Sequence, residues 1–245
     1  MWDQGSVVAM ILITRPVEDA IYLQERLQGL KIESLVEPLF VLQPLCFDVA
    51  TLVAAKVIVS SKNAIRALTW SKASKDLQLY AMSDNIAKFA ISSGFSNVLS
   101  CGCSTAKELE AYVLSYFGKD ERVIYLSGAE ITRDIVSRCS EKGFRWVERR
   151  ICYMMCPLKE FSNNVYVALR RKRISGVTLF SVQAAVLCKS LFLNHGITPN
   201  FFSYFVMSHR IASTLDCDTV YVSSVPTLDA LVDVIERHYY VGQRA

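Results

Sequence analysis

The chain has 245 residues, of which 52% are hydrophobic and 20% charged, with a net charge of +4. That length and apolar content suit two domains of ordinary size, each with its own core. An excess of 27 Lys and Arg over 23 Asp and Glu is too small for a nucleic-acid face, where a basic stripe and a higher pI are expected. It fits a compact anionic ligand better.

The opening apolar run Val7–Ile13 follows Asp3 rather than a cationic segment and stops at Thr14-Arg15-Pro16. It reads as a buried strand over 8–14, not as a signal peptide or membrane span. A 3.6-residue period predicts a helix over 17–29, after which 33–44 is extended and closed by Pro44. Strands follow at 56–60, 78–82, 97–101 and 122–127, with helices at 62–72, 84–93, 104–116 and 129–142. A strand at 144–148 leads into a second extended segment, 147–157, closed by Pro157. The run Arg170-Arg171-Lys172-Arg173 closes a helix just before a strand, where cations favour the dipole. It reads as a solvated helix end rather than a polyanion site. Strands at 176–180, 202–207 and 218–222 and helices at 182–194, 208–215 and 227–240 complete the chain. Short β-branched runs alternating with longer helical stretches predict α/β architecture, with parallel sheets flanked by helices.

The chain also repeats itself. Ala81-Met82-Ser83-Asp84-Asn85-Ile86-Ala87 returns as Val206-Met207-Ser208-His209-Arg210-Ile211-Ala212, and the Val57–Ala64 segment is echoed by Val177–Ala184. Ser104–Leu109 faces Val225–Leu231 in the same way. A period near half the chain is a duplicated domain rather than a solenoid, whose units run to about 20–50 residues. The two proline-closed segments each follow a strand–helix unit and each precede a repeat. The economical arrangement is two similar, flavodoxin-like lobes joined by a two-stranded β connector made of 33–44 and 147–157. Lobe 1 is then discontinuous, 1–37 and 157–245, with lobe 2, 42–150, inserted. A ligand is expected in the cleft between them.

In a parallel α/β sheet, ligands bind beyond the carboxyl ends of the strands. Arg15 ends the first strand, free to meet an anion, and Pro16 is set for the first helical turn. Ser60-Ser61-Lys62-Asn63, Ser83, Ser127-Gly128, Ser181 and Ser208 occupy the equivalent ends of other strands. Each offers hydroxyl or backbone donors at a positive helix terminus, suited to carboxylates. A single such serine is an ordinary N-cap; several on one edge of facing lobes make a candidate anion site. Tyr153, on the second connecting strand, is the candidate proton donor. The 8 cysteines lie scattered in apolar stretches without metal-ligand spacing, which points to buried thiols and a reducing cytosol. The chain has no Gly-x-Gly-x-x-Gly, no Gly-x-x-x-x-Gly-Lys-Ser/Thr and no serine nucleophile elbow. This weighs against dinucleotide, nucleoside triphosphate and acyl-enzyme chemistry.

The order of these weak motifs resembles the uroporphyrinogen-III synthase family over nearly the whole chain. The motifs are Ile11–Pro16, Val57–Ile65, Tyr125-Leu126-Ser127-Gly128 with Arg133-Asp134, the Tyr153 segment ending in Pro157, the strand leading to Ser181, and Val225–Leu231. The family tends to show Gly-x-x-Thr-Ala where this chain has Ser83 to Ala87 and Ser208 to Ala212. Ile86 and Ile211 therefore replace hydroxyls that often face the cleft. The resemblance implies conversion of hydroxymethylbilane, a linear tetrapyrrole with eight carboxylates, into uroporphyrinogen III with inversion of ring D and loss of water. It implies an azafulvene cation and a spiro-pyrrolenine on the path and orientation rather than a nucleophile as the main catalytic device; on that path Tyr153, the candidate proton donor, is expected to assist departure of the hydroxyl. The charge, motif and cysteine readings themselves point to a cytoplasmic protein with no cofactor, metal, nucleic-acid partner or membrane association, expected to be a monomer. The same cleft and donors would also serve a two-lobed binding protein that closes on an acidic small molecule without chemistry. A transferase of two α/β lobes would usually need a phosphate-binding loop that the chain lacks.

Overall fold

The computed structural model describes residues 10–241. Residues 8 and 9 of the first expected strand, and the Val7–Ala9 part of the opening run, lie outside the described residues. The chain divides into two compact units, Met1–Val41 with Pro157–Ala245, and Leu42–Cys156.

The first unit holds a five-stranded parallel sheet built from β1 (Met10–Ile13), β2 (Glu33–Val36), β9 (Ile174–Leu179), β10 (Ser203–Val206) and β11 (Val220–Val222), in the order β11-β10-β9-β1-β2. β1 is a short run of Met, Ile and Leu buried on both sides, as the centre of a sheet covered on two faces requires. One face packs against α6 (Asn163–Arg170), α7 (Val182–Asn194) and α8 (His209–Ala212), with Val165, Ala185, Cys188, Phe192 and Ile211 in that core. The other packs against α1 (Val17–Gly29) and α9 (Leu228–Glu236) through Leu23, Leu27, Leu231 and Ile235.

The second unit holds β4 (Lys56–Val59), β5 (Leu79–Ala81), β6 (Val98–Ser100), β7 (Val123–Gly128) and β8 (Val147–Pro157), with β3 (Phe40–Pro44) at the edge, in the order β3-β8-β7-β4-β5-β6. The β4 to β8 pairings are parallel. α2 (Lys62–Trp70) and α3 (Asp84–Ser92) cover one face, and α4 (Ala106–Tyr116) and α5 (Ile135–Glu141) the other. β3 and β8 run in opposite directions, because the Leu158 N–H donates to the Leu39 carbonyl at 2.8 Å and the Leu45 N–H to the Cys152 carbonyl at 3.0 Å.

The two sheet orders correspond strand for strand: β9 with β4, β10 with β5, β11 with β6, β1 with β7 and β2 with β8. The sequence echo follows this correspondence, since Val177–Ala184 and Val57–Ala64 both run from a central strand into a helix. The units differ in where the chain enters the sheet. β1 and β2 come first in the first unit, whereas β7 and β8 come last in the second.

Several element bounds differ from the sequence reading. Glu33–Val36 is an edge strand of the first sheet, set apart from β3 by residues 37–39. α5 begins at Ile135 rather than near 129, because Asp134 supplies the N-cap by accepting the Ser137 N–H at 3.1 Å. α8 stops at Ala212, where Thr214 turns its hydroxyl onto the Ile211 carbonyl at 2.7 Å and Asp216 takes a left-handed φ of 46°. α9 gives way after Glu236 to a wide turn over Arg237–Val241.

Candidate active site at the strand carboxyl ends

The candidate residues gather at the carboxyl ends of the parallel strands of each unit, and the second unit is the richer. Ser61 follows β4 and caps α2, its hydroxyl accepting the Ala64 N–H at 3.2 Å. The same hydroxyl lies 2.9 Å from the Tyr153 hydroxyl. Ser60 lies beside it with its hydroxyl 2.8 Å from that of Tyr125 on β7. Lys62 is exposed with its ammonium 5.5 Å from the Phe89 ring centroid, and Asn63 accepts from Arg66 at 2.7 Å. Ser83 precedes α3 without a side-chain cap bond.

Tyr153 owes its orientation to an irregularity. β7 and β8 pair in regular register from Val123 and Val147 up to Ser127 and Ile151, and then Gly128 pairs with Tyr153, leaving Cys152 as the extra residue. Such a bulge re-aims the side chain that follows it. Cys152 is buried in the core under α2 and α3, and Tyr153 packs against that same core. Its ring lies across Gly128, where a Cβ would meet the Tyr153 Cε2 and Cζ at 2.8 Å. Gly128 is thus required by close approach. Burial pushes the Tyr153 phenol above its ordinary pKa, with the Ser61 hydrogen bond acting in the opposite direction. Tyr153 is therefore a neutral phenol around pH 7, able to give a proton but not to act as a phenolate.

Ser127 stands in the expected place but its hydroxyl is committed to the unit. It is 3% exposed, donates to the Gly128 carbonyl at 3.0 Å and accepts from Arg149 Nε at 2.7 Å. Arg149 Nη2 also donates to the carbonyls of Gly128 and Ala129, each at 2.7 Å. Arg149 was not singled out in the sequence, and Tyr125 figured there only within the Tyr125–Gly128 motif. The only mark of Arg149 there is a cation four residues before Tyr153.

In the first unit, Pro16 is the N-cap of α1 rather than its first helical residue, and the Arg15 guanidinium stands 4.7 Å from the Phe180 ring centroid. Ser181 caps α7 by accepting the Ala184 N–H at 3.1 Å, and Ser208 caps α8 by accepting the Ile211 N–H at 3.4 Å. At the position of the first unit that corresponds to Tyr153, β2 is followed by Glu37, Pro38 and Leu39 rather than by a tyrosine. Glu37 is buried, and its carboxylate accepts the N–H and hydroxyl of Ser162 at 2.6 and 2.7 Å. Ile86 and Ile211 are buried in the cores. Among the described residues no three His, Cys, Asp or Glu side chains form a metal-holding group, and no helix is long and apolar enough to cross a membrane.

A family model described as uroporphyrinogen-III synthase HemD matches residues 22–233. No curated protein sequence matches the chain. Among solved structures, a uroporphyrinogen-III synthetase from Helicobacter pylori superposes with a TM-score of 0.58 at 19% identity, covering 93% of this chain and 98% of that one. A mutant uroporphyrinogen III synthase from Thermus thermophilus superposes with a TM-score of 0.50 at 13% identity, covering 97% of this chain and 100% of the other. At such identities the structures speak for the fold, whereas the family model spans most of the sequence. The chain belongs to the uroporphyrinogen-III synthase family.

Proposed function

We propose that this protein closes hydroxymethylbilane to uroporphyrinogen III, with Tyr153 as the proton donor that helps the terminal hydroxyl leave. The observation that carries the assignment to Tyr153 is its neutral phenol, half-buried and 2.9 Å from Ser61 at the carboxyl edge of the second sheet, in a chain of this family. Ser61 already accepts the Ala64 N–H. When it donates its own proton to Tyr153, the phenolic proton is left to point outward. Protonation of the departing oxygen breaks the C–O bond and releases water, leaving the azafulvene cation. Attack by the substituted carbon of ring D gives the spiro intermediate, which opens and recloses in the inverted sense. Loss of a pyrrole α-carbon proton completes the balance and can restore the phenol.

The eight carboxylates of the substrate call for many modest donors. We assign this role to Arg15, Ser60, Ser61, Lys62, Asn63, Ser83, Ser181 and Ser208, with the Gly128 edge as a floor under Tyr153; Ser127 supports the site by holding Arg149. Arg15 and Lys62 supply positive charge, and the serines supply hydroxyls and helix N-termini. We further propose that each unit is a flavodoxin-like lobe and that the protein works as a cytoplasmic monomer without nucleic acid. Turnover by Tyr153→Phe tests the central assignment. It should fall by about 10²-fold or more, with little change in substrate binding. The residual product should remain isomer III, since orientation sets the inversion. Unchanged turnover would remove Tyr153 from the mechanism.

A further inference from the structure

We propose that Arg149 is a positioning residue for Tyr153, an inference that rests on the role given to Tyr153 above. In a regular strand, residues 149, 151 and 153 share one face. The extra residue Cys152 turns Tyr153 to the opposite face, where Ser61 meets its hydroxyl. A bulge of this kind also disrupts the ladder locally, so the carbonyls beside it must find other partners. Arg149 takes them: one guanidinium donates to the Ser127 hydroxyl and to the carbonyls of Gly128 and Ala129, all at 2.7 Å.

Two side chains of β8 therefore grip the end of β7. The Tyr153 ring lies on Gly128, the Ala129 N–H donates to the Tyr153 carbonyl at 3.0 Å, and Arg149 holds the next carbonyls in place. The surface on which the phenol rests is fixed by a residue with no bond to the phenol itself. Only a planar fork of several N–H groups can serve three acceptors fanned in this way, which distinguishes arginine from lysine here. If the Gly128–Ala129 turn relaxes, the ring can tilt and the hydroxyl leaves its 2.9 Å contact with Ser61. Misplacement of this size slows chemistry more than it weakens binding of a substrate held by many other donors.

The test is a double-mutant cycle on the full chain, using Arg149→Met, Tyr153→Phe and the pair, with kcat and KM for hydroxymethylbilane and the isomer ratio measured for each. Arg149→Met should lower kcat by about ten- to a hundred-fold with KM changed less than about threefold. In the Tyr153→Phe background the same change should have almost no further effect on kcat. Additive losses of kcat in the cycle would overturn the proposal, and so would a rise in KM in both backgrounds, which would mark Arg149 as a direct substrate ligand. Wild-type turnover in Tyr153→Phe would overturn the assignment of Tyr153, and this proposal with it. Should Arg149→Met fail to fold, Arg149→Lys keeps the charge and a donor, and the cycle is run with it under the same expectations.

Discussion

Gly128 leaves no space for a side chain, and Tyr153 is the reason: a Cβ there would stand 2.8 Å from two carbons of the ring. Gly128→Ala must push the ring aside or bend β7. It should cost about 1–3 kcal/mol of stability, as overpacking does, and lower turnover together with the Tyr153–Ser61 contact. Denaturant titration and steady-state kinetics measure both, and an unchanged kcat would separate the ring's seat from its chemistry. Tyr153 also makes a prediction in pH. Its folded pKa is raised above the unfolded value of about 10, so the neutral phenol favoured by the fold is fully present below that pH. The stability linked to this group is lost only as pH rises through the higher folded value. Activity should show no loss from this group up to its ordinary pKa of about 10 and should decline only as pH rises through the higher folded value; an inflection near neutrality that vanishes in Tyr153→Phe would contradict a neutral donor. At this scale the strand-end serines were legible, because Ser61, Ser181 and Ser208 each stand between an apolar strand and the helix that follows it. The aim of Tyr153 was not. The extra residue at Cys152 leaves no mark in composition or period, and the contact of Arg149 with Ser127 comes from the pairing of β8 with β7, which no local pattern shows.

Strands and helices differ in how far local sequence decides them. α1 and α7 run from 17 to 29 and from 182 to 194, the bounds read from the apolar period alone, because each is an unbroken stretch with a clear start. α5 is shorter than its pattern suggests, since the segment after β7 is held by Arg149 and only Asp134 offers a cap. The 33–44 segment reads as one extended piece but serves two purposes, β2 in the first sheet and β3 beside β8. Between them sits Glu37, whose buried carboxylate reaches the N–H and hydroxyl of Ser162 at the start of α6. Glu37→Ala should leave these donors without their partner and cost about 1–3 kcal/mol by thermal or denaturant unfolding. Glu37→Gln, which keeps an acceptor, should cost less. Equal losses would show that packing rather than hydrogen bonding fixes the junction. A second pair ties α4 to the approach of α5: Arg133 binds the Glu110 carboxylate and holds it below the usual carboxylate range. The stability this contributes is present above the unfolded pKa of about 4.3 and is lost as pH falls through the lower folded value. Acid unfolding of Glu110→Gln should accordingly be less steep over that interval than acid unfolding of the parent.

At the scale of the whole molecule, one strand order is used twice with a different point of chain entry, and this explains why the repeat was visible but interrupted. The halves are alike where both need a strand leading into a capped helix. They part where the second carries Tyr153, Gly128 and Arg149 and the first carries Glu37 with Pro38 and Leu39. A mechanism based on holding an anionic chain and donating one proton needs no metal, so activity should survive dialysis against a chelator; loss of activity restored by an added metal would overturn that part of the account. Hydroxymethylbilane left alone closes without inversion to isomer I, so the decisive measurement is incubation of the purified protein with hydroxymethylbilane, oxidation of the products and chromatographic separation of isomers I and III. Isomer III should be the main product, formed faster than the spontaneous closure. Isomer I alone, at the rate seen without protein, would contradict it.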